Sequence, residues 1–310
     1  MTIVDIAKSV NCDRSTIYRR LNTFRLDVKG KNYPKPIPEK ELHELYINKK
    51  LSMPKIAKRY DCDAATIHNR MKEYRIKIRD NSDANIQSPK HDFIGDIIEK
   101  AHMIGFRLGD LHVRKYGKKG KIIYVSCGST KKNQINLIKN MFSKYCKITI
   151  GKTDKRGITQ INANLNESFN FLLEKKDSIN KELMKNRKTF FSFLAGYTDA
   201  EGTIKVHKQG FSTFRIKTYD KGILTEIKKQ LEKYGYKDVH LRVDSKKSEK
   251  RRQNQDCWGI GIYKKSQLLK LYKEILPFIK HKDKQKDILE GIKNIEHRNK
   301  KYNNRRMEVL

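Results

Sequence analysis

The sequence predicts an α+β protein: an all-α region at the N-terminus, then a duplicated domain in which each half reads αββαββα. Three observations carry that prediction. A helical stretch near the start recurs, without a gap, 50 residues later (56 − 6 for the shared Ile). A second duplication of different pattern fills the rest of the chain. The whole carries Lys+Arg 70 against Asp+Glu 35, a formal net charge of +35 over 310 residues.

That length suggests two or three domains. The apolar fraction of 37% is low but supports real cores. The charge implies a polyanionic partner, with nucleic acid the first candidate and an acidic membrane surface the second. No long uncharged apolar stretch supports a membrane role, and MTIVDIAKSV has acid and polar residues where a signal peptide is apolar. Five cysteines are scattered at 12, 62, 127, 146 and 257 with no zinc spacing. They read as reduced thiols in a cytoplasmic, nucleoid-associated protein.

The first element is IVDIAKSVNCDRSTIYRRLNTFRL, repeated as MPKIAKRYDCDAATIHNRMKEYRI. Ile6, Ala7, Lys8, Cys12, Asp13, Thr16, Ile17, Arg20 and Arg25 meet Ile56, Ala57, Lys58, Cys62, Asp63, Thr66, Ile67, Arg70 and Arg75. Such a run marks an internal duplication. Each copy predicts a short helix, a turn and a second helix. The apolar positions are Ile6, Val10, Ile17, Leu21 and Phe24, matched by Ile56, Tyr60, Ile67, Met71 and Tyr74. Asp13 and Asp63 stand where an N-cap opens the second helix. This resembles the helix-turn-helix of resolvase-type and sigma-like DNA readers. The resemblance implies that Arg14, Tyr18, Arg19 and Arg20 of unit 1 (1–26), and His68, Asn69 and Arg70 of unit 2 (38–78), face DNA. Small helical hairpins for protein contact are the bland alternative, and the basic second helices count against it. Unit 2 is preceded by PEKELHELYINKKLS, a further predicted helix. Unit 1 has no room for one, which leaves a borrowed helix or a start upstream of Met1. Residues 27–37 and 79–92 are predicted linkers by their Pro, Gly, Lys and polar content.

Past residue 92 the second duplication begins. MIGFRLGDL (103–111) aligns with LAGYTDAEG (194–202): Gly105 meets Gly196, Gly109 meets Ala200, and Asp110 meets Glu201. Small residues four apart share a helix face and let two helices cross with their backbones nearly touching. Two helices crossing there bring Asp110 and Glu201 out together. An acid at a helix C-terminus costs about 0.3–1 kcal/mol against the helix dipole. Two carboxylates at 4 Å repel by roughly 4 kcal/mol at an effective dielectric near 20. A bound Mg²⁺ or Mn²⁺ would offset both and make the pair a site for phosphodiester chemistry.

Strands LHVRKYG and KIIYVSCG follow the first motif. A helix over NQINLIKNMFSKY, strands KITIGKT and ITQINANL, and a helix over ESFNFLLEK come after them. The second motif is followed by TIKVHKQ, FSTFRIKTY, a helix over GILTEIKKQLEKYG, KDVHLRVDS, CWGIGIYK and a helix over SQLLKLYKEILPFI. The halves span 93–187 and 188–300, with a basic tail at 301–310. In FSTFRIKTY, Phe214 and Ile216 alternate with Arg215, Lys217 and Tyr219; in KDVHLRVDS, Val239, Leu241 and Val243 alternate with His240, Arg242 and Asp244.

The two motifs resemble those of the LAGLIDADG homing endonucleases, over about residues 93–295. The resemblance implies a pseudo-two-fold LAGLIDADG saddle in a single-chain monomer, its two four-stranded sheets lying over double-stranded DNA. It implies Asp110 and Glu201 as the metal-holding catalytic acids and cleavage of both strands with short 3′ overhangs. Lysines near the metals assist in that family, which points to Lys132 and Lys264, beside Lys131 and Lys265, with Lys205 a weaker candidate. Arg215, Lys217, Tyr219 and Arg242 would contact DNA. Motif one departs from the pattern: Leu111 replaces the closing glycine expected to leave the helix in a left-handed conformation, and Arg107 stands in a closely packed helix. The main expectation is a site-specific DNA endonuclease of the intron-homing kind. The alternatives are a non-cleaving DNA-binding regulator of the same fold, or a maturase whose partner is intron RNA.

Overall fold

The computed structural model describes residues 3–24, 37–79, 89–116 and 120–307. The chain divides into two compact units, Met1–Ala84 and Asn85–Leu310. Most of the predicted 27–37 linker, the middle of the 79–92 linker, Arg25, and the last residues of the predicted tail lie outside the described residues.

In the first unit each copy of the repeat forms a helix pair: α1 (Ile3–Ser9) with α2 (Arg14–Thr23), and α4 (Met53–Arg59) with α5 (Ala64–Glu73). The turn is made the same way twice. Asn11 (φ 46°) and Asp61 (φ 52°), equivalent across the repeat, take the left-handed conformation that Asn and Asp adopt more readily than most residues. The Asp13 carboxylate accepts from the Ser15 amide at 2.7 Å, and that of Asp63 from the Thr66 amide at 2.6 Å. Helix α3 (Glu39–His43) runs into a π-helical turn, Glu44–Asn48, and adds Leu42, Leu45 and Tyr46 to a core with Ile56, Ile67 and Met71. Two residues expected in linkers belong to this core region. Ile37 is buried in it, and Arg79 stacks on Tyr46 at 4.1 Å and donates to the carbonyls of Lys50 and Leu51. The copies differ where α3 makes the difference. Tyr60 and Tyr74 are half-buried, and Tyr74 donates to the Ile37 carbonyl. Their counterparts Val10 and Phe24, expected to pack, are 58% and 67% exposed.

The second unit begins with α6 (Ile97–Gly109) and continues through β1 (His112–Lys115), β2 (Ile123–Ser129), α7 (Lys132–Phe142), β3 (Ile148–Ile150) and β4 (Thr159–Leu165). The predicted helix over 167–175 is a 3-10 turn, Glu167–Leu172, followed by short α8 (Lys181–Lys185). Then come α9 (Arg187–Glu201), β5 (Gly202–Val206), β6 (Ser212–Thr218), α10 (Lys221–Lys233), β7 (His240–Ser245), β8 (Cys257–Ile262) and α11 (Lys265–Ile275). Both sheets are antiparallel and share one topology, β1-β2-β4-β3 and β5-β6-β8-β7, so the duplication seen in the sequence is a duplication of fold. One core lies under each sheet, the first around Phe106, Phe142 and Phe169, the second around Phe190, Phe214 and Tyr272.

Two assignments change. Residues 177–186, placed with the first half, belong to the second core. Ile179 and Leu183 are buried there, and the Asp177 carboxylate accepts from the amides of Gly222 and Ile223 at the start of α10. The predicted tail is helical over its described part, 301–307, where it forms the end of α12 (Lys282–Met307). Ile288 and Ile295 of α12 enter the second core, and a Cβ on its Gly291 would lie 2.6 Å from the Tyr272 ring, so glycine permits that crossing.

Candidate active site

Helices α6 and α9 cross at their small residues. A Cβ on Gly105 would lie 2.1 Å from the Phe193 carbonyl oxygen, and one on Gly196 would lie 2.0 Å from that of His102. Neither space exists for any other residue, so the backbones touch. One turn on, a Cβ on Gly109 would lie 2.4 Å from the Ala200 Cβ and 2.9 Å from the Glu201 Cγ. The interface also holds a buried polar pair. His102 Nε2 lies 2.9 Å from Asp199 Oδ2, which accepts as well from the Lys280 amide. Burial pushes His102 below its ordinary value, further than the Asp199 bond raises it.

Asp110 and Glu201 stand at the shared end of this crossing. Asp110 is the C-cap of α6, and its Oδ2 accepts from the Gln134 side-chain amide at 2.6 Å. Gln134 is itself held by the Ser129 hydroxyl at 2.8 Å. Burial pushes Asp110 up to about 6, against the opposing charges of Lys284 and Lys131 and the Gln134 bond. Burial also pushes Glu201 up, and the charges of Asp110 and Asp220 push it further. Two carboxylates thus share one partly desolvated spot. Among the described residues no group of three or more His, Cys, Asp or Glu is placed to hold a metal. The pair by itself suits a hard divalent ion of the Mg²⁺ type, which takes one or two carboxylates and fills its shell with water and phosphate oxygens.

The ends of the two motifs are built differently, and the expected role of the closing glycine is corrected. Gly202 has φ −72° and ψ 147°, ordinary extended backbone. It is needed for space, because a Cβ there would lie 2.5 Å from Thr198 Cγ2 and 2.7 Å from the Thr198 carbonyl. Leu111 in the other motif is 2% exposed and fills the first core. Arg107 makes that exit firm: its guanidinium donates to the Leu172 carbonyl at 2.9 Å and to the Leu111 carbonyl at 2.5 Å.

The lysines sort unevenly. Lys131 acts electrostatically on Asp110, and Lys132 follows it as the first residue of α7. The strand order sets Lys264 apart from the acid pair. STKKNQ follows β2, whose counterpart is β6, whereas YKKSQ follows β8. Glu201 precedes Gly202, which pairs with Ile216, itself paired with Ile260. Lys264 lies beyond the far end of β8, roughly 16 Å along the strand at ~3.3 Å per residue, where its amide donates to Asp238. Lysine 284 of α12 was not anticipated, and neither was Gln134. Gln134 had a signal, two residues after a predicted lysine at a helix start. Lys284 had none among the lysines of KHKDKQKD.

The open faces of the sheets differ in chemistry. On the first, Arg114, Tyr124, Ser126, Gln160, Asn162 and Asn164 point away from the core, largely amides and hydroxyls. On the second, Lys205, Arg215, Lys217, His240 and Arg242 do so, with Tyr219 50% exposed just past β6. Asp244 reaches across Gly259 to Arg215 at 2.5 Å and Lys217 at 2.7 Å, and these cations hold its carboxyl low. In the first unit Arg14, Arg19, Arg20 and Asn69 are exposed, Tyr18 and His68 are half-buried, and Arg70 pairs with Glu73 at 2.8 Å.

Residues 190–276 match the family model described as LAGLIDADG-like domain. Over those residues the second half is similar to a LAGLIDADG-like domain. Among solved structures, mesophilic variants of the homing endonuclease I-DmoI match at 19% identity, covering 58% of this chain and 91% of that one, TM-score 0.42. Meganuclease I-SmaMI bound to DNA matches at 12%, covering 68% and 92%, TM-score 0.42. Full-length DUF199/WhiA from Thermatoga maritima matches at 14%, covering 71% and 69%, TM-score 0.44. No curated protein matches the chain. No described helix is long and apolar enough to cross a membrane.

Proposed function

We propose that this protein is a site-specific, metal-dependent DNA endonuclease acting as a monomer. The observation that supports it most is the pairing of two desolvated carboxylates, Asp110 and Glu201, at the end of one helix crossing. A structural core needs no such pair, and its cost is explained by a cation. Asp110 and Glu201 would hold Mg²⁺ or Mn²⁺. When bound, such an ion supplies an activated water and charge stabilisation at the phosphate. Gln134 fixes one oxygen of Asp110, which orients the carboxylate. Partial burial at the crossing shields the acids from some of the bulk water. Lys131 and Lys132 add positive charge beside the Asp110 end, where phosphates would approach. The basic second sheet, with Arg215, Lys217, Tyr219 and Arg242, would follow the DNA backbone and base edges.

The two sheet faces point to an asymmetric duplex. Amides suit adenine edges and guanidinium groups suit guanine. The half-site under the first sheet is accordingly expected to be adenine-rich in its specified positions, and the other guanine-rich. The N-terminal helix pairs would act as helix-turn-helix units through Arg14, Tyr18, Arg19, Arg20, His68, Asn69 and Arg70, adding affinity through their presence on the same chain.

The test is selection of duplexes from a randomised pool by the full chain, followed by incubation of the winners with Mg²⁺. Binding should weaken roughly 10³-fold or more between about 50 and 200 mM salt, since many phosphates are neutralised. Cuts on both strands at one position would support the reading. Selected duplexes that stay intact in Mg²⁺ and Mn²⁺ would leave a binding protein instead, and two half-sites of like composition would sink the asymmetry.

A further inference from the structure

Helix α12 lies outside the duplicated αββαββα pattern and has no counterpart in the first half among the described residues. Its first turn nevertheless reaches the acid pair from both sides. Asp283 accepts from the Asn133 side chain at 2.7 Å, on the helix that carries Gln134. The Lys284 ammonium donates to the carbonyls of Thr198 and Asp199, at 2.5 and 2.8 Å, and contacts that of Ala200 at 3.4 Å. Those are the last carbonyls before Glu201, the negative end of the α9 dipole. The charge of the same ammonium opposes the upward push of burial on both Asp110 and Glu201. A buried lysine is costly unless it is paired and hydrogen-bonded. Here the three carbonyls satisfy its hydrogens, and two carboxylates lie within reach of its charge.

We propose that Lys284 is a built-in counter-cation that holds the Asp110–Glu201 pair together when no divalent ion is bound. It is a positioning residue: it acts through the end of α9 and through charge, and need not touch DNA. The inference rests on reading the pair as a metal site. It explains how two acids stay side by side in a chain that must fold before it meets metal. It also explains why α12 is attached to one half only, since a single cation can serve both acids from the crossing axis. A divalent ion would take over the same electrostatic work, so lysine and metal should substitute for each other in stability.

The experiment is thermal unfolding of the full chain, read at the transition of the second unit, in EDTA and in millimolar Mg²⁺. Compared are wild type, Lys284→Met, Lys284→Arg, Glu201→Gln and the double variant Lys284→Met/Glu201→Gln. In EDTA, Lys284→Met should lower Tm by about 5 °C or more, and Lys284→Arg by less. In the Glu201→Gln background the same Met substitution should cost less than half as much. A purely structural cap on the carbonyls would cost the same in both backgrounds, and that result overturns the proposal. Should Lys284→Met fail to fold, the double variant must recover a cooperative transition; its failure also overturns the proposal. Mg²⁺ should raise Tm of Lys284→Met more than that of wild type. If Mg²⁺ shifts neither chain while the background dependence in EDTA persists, the metal reading fails and the counter-cation role stands.

Discussion

Gly196→Val is expected to unfold the second unit or to lower its Tm by about 8 °C or more. The reason is geometric. A Cβ at this position would lie 2.0 Å from the His102 carbonyl oxygen, and the obstructing atom is backbone, not a flexible side-chain tip. Relief requires α6 and α9 to separate. That would break the His102–Asp199 pair, the Ser192 hydroxyl bond to the Ile98 carbonyl at 2.7 Å, and the packing of Ala101 and Leu108 in the second core. Overpacking costs 1–3 kcal/mol and occasionally more, and a backbone–backbone clash between two buried helices belongs at the top of that range or above it. Gly151→Ala is the control: its nearest neighbours would be 3.6 Å away, ordinary contact, so its Tm should stay within about 2 °C. Calorimetry of the two variants checks both statements.

The second large effect is on chemistry. On a duplex that the wild type cuts, Asp110→Asn and Glu201→Gln should each reduce the cleavage rate on the order of 10³-fold or more. Affinity for the same duplex in EDTA should be unchanged or higher, because a negative charge facing phosphates is removed. The split between rate and affinity separates a lost metal ligand from a damaged fold, which would weaken both. Single-turnover cleavage and a binding titration at one salt concentration measure the two quantities. Full activity in either variant would remove that acid from the site.

Much of this arrangement was legible in the sequence because small residues and acids leave few alternatives. Gly105, Gly109, Gly196 and Ala200 fall at four-residue spacing in both motifs, and helical geometry alone puts the acids that follow them at one end. The strands were legible for a similar reason: Phe214 and Ile216 alternate with Arg215 and Lys217, and only a half-buried strand does that. What escaped was whatever depends on contacts distant in sequence. Arg107 looked like a misfit in a close-packed helix, yet the Leu172 carbonyl that satisfies it is 65 residues away. Nothing in KHKDKQKD distinguishes Lys284 from its neighbours; the fold does, by setting its ammonium on the carbonyls at the end of α9. Lys264 is set apart from the acids by strand order, which its nearness to a motif in sequence does not reveal. Val10 and Phe24 show the limit of repeat matching: identical patterns were read as identical burial, but among the described residues the core that α3 joins is built with side chains of the second copy.

The proposed activity requires that Asp110 and Glu201 hold one metal site. Titration of Mn²⁺ into the full chain bound to its selected duplex, followed by electron paramagnetic resonance, counts the ions held. The wild-type complex should bind Mn²⁺ tightly, and the Asp110→Asn/Glu201→Gln complex, still on the same DNA, should lose that binding. Equal occupancy and affinity in the two complexes would contradict the assignment.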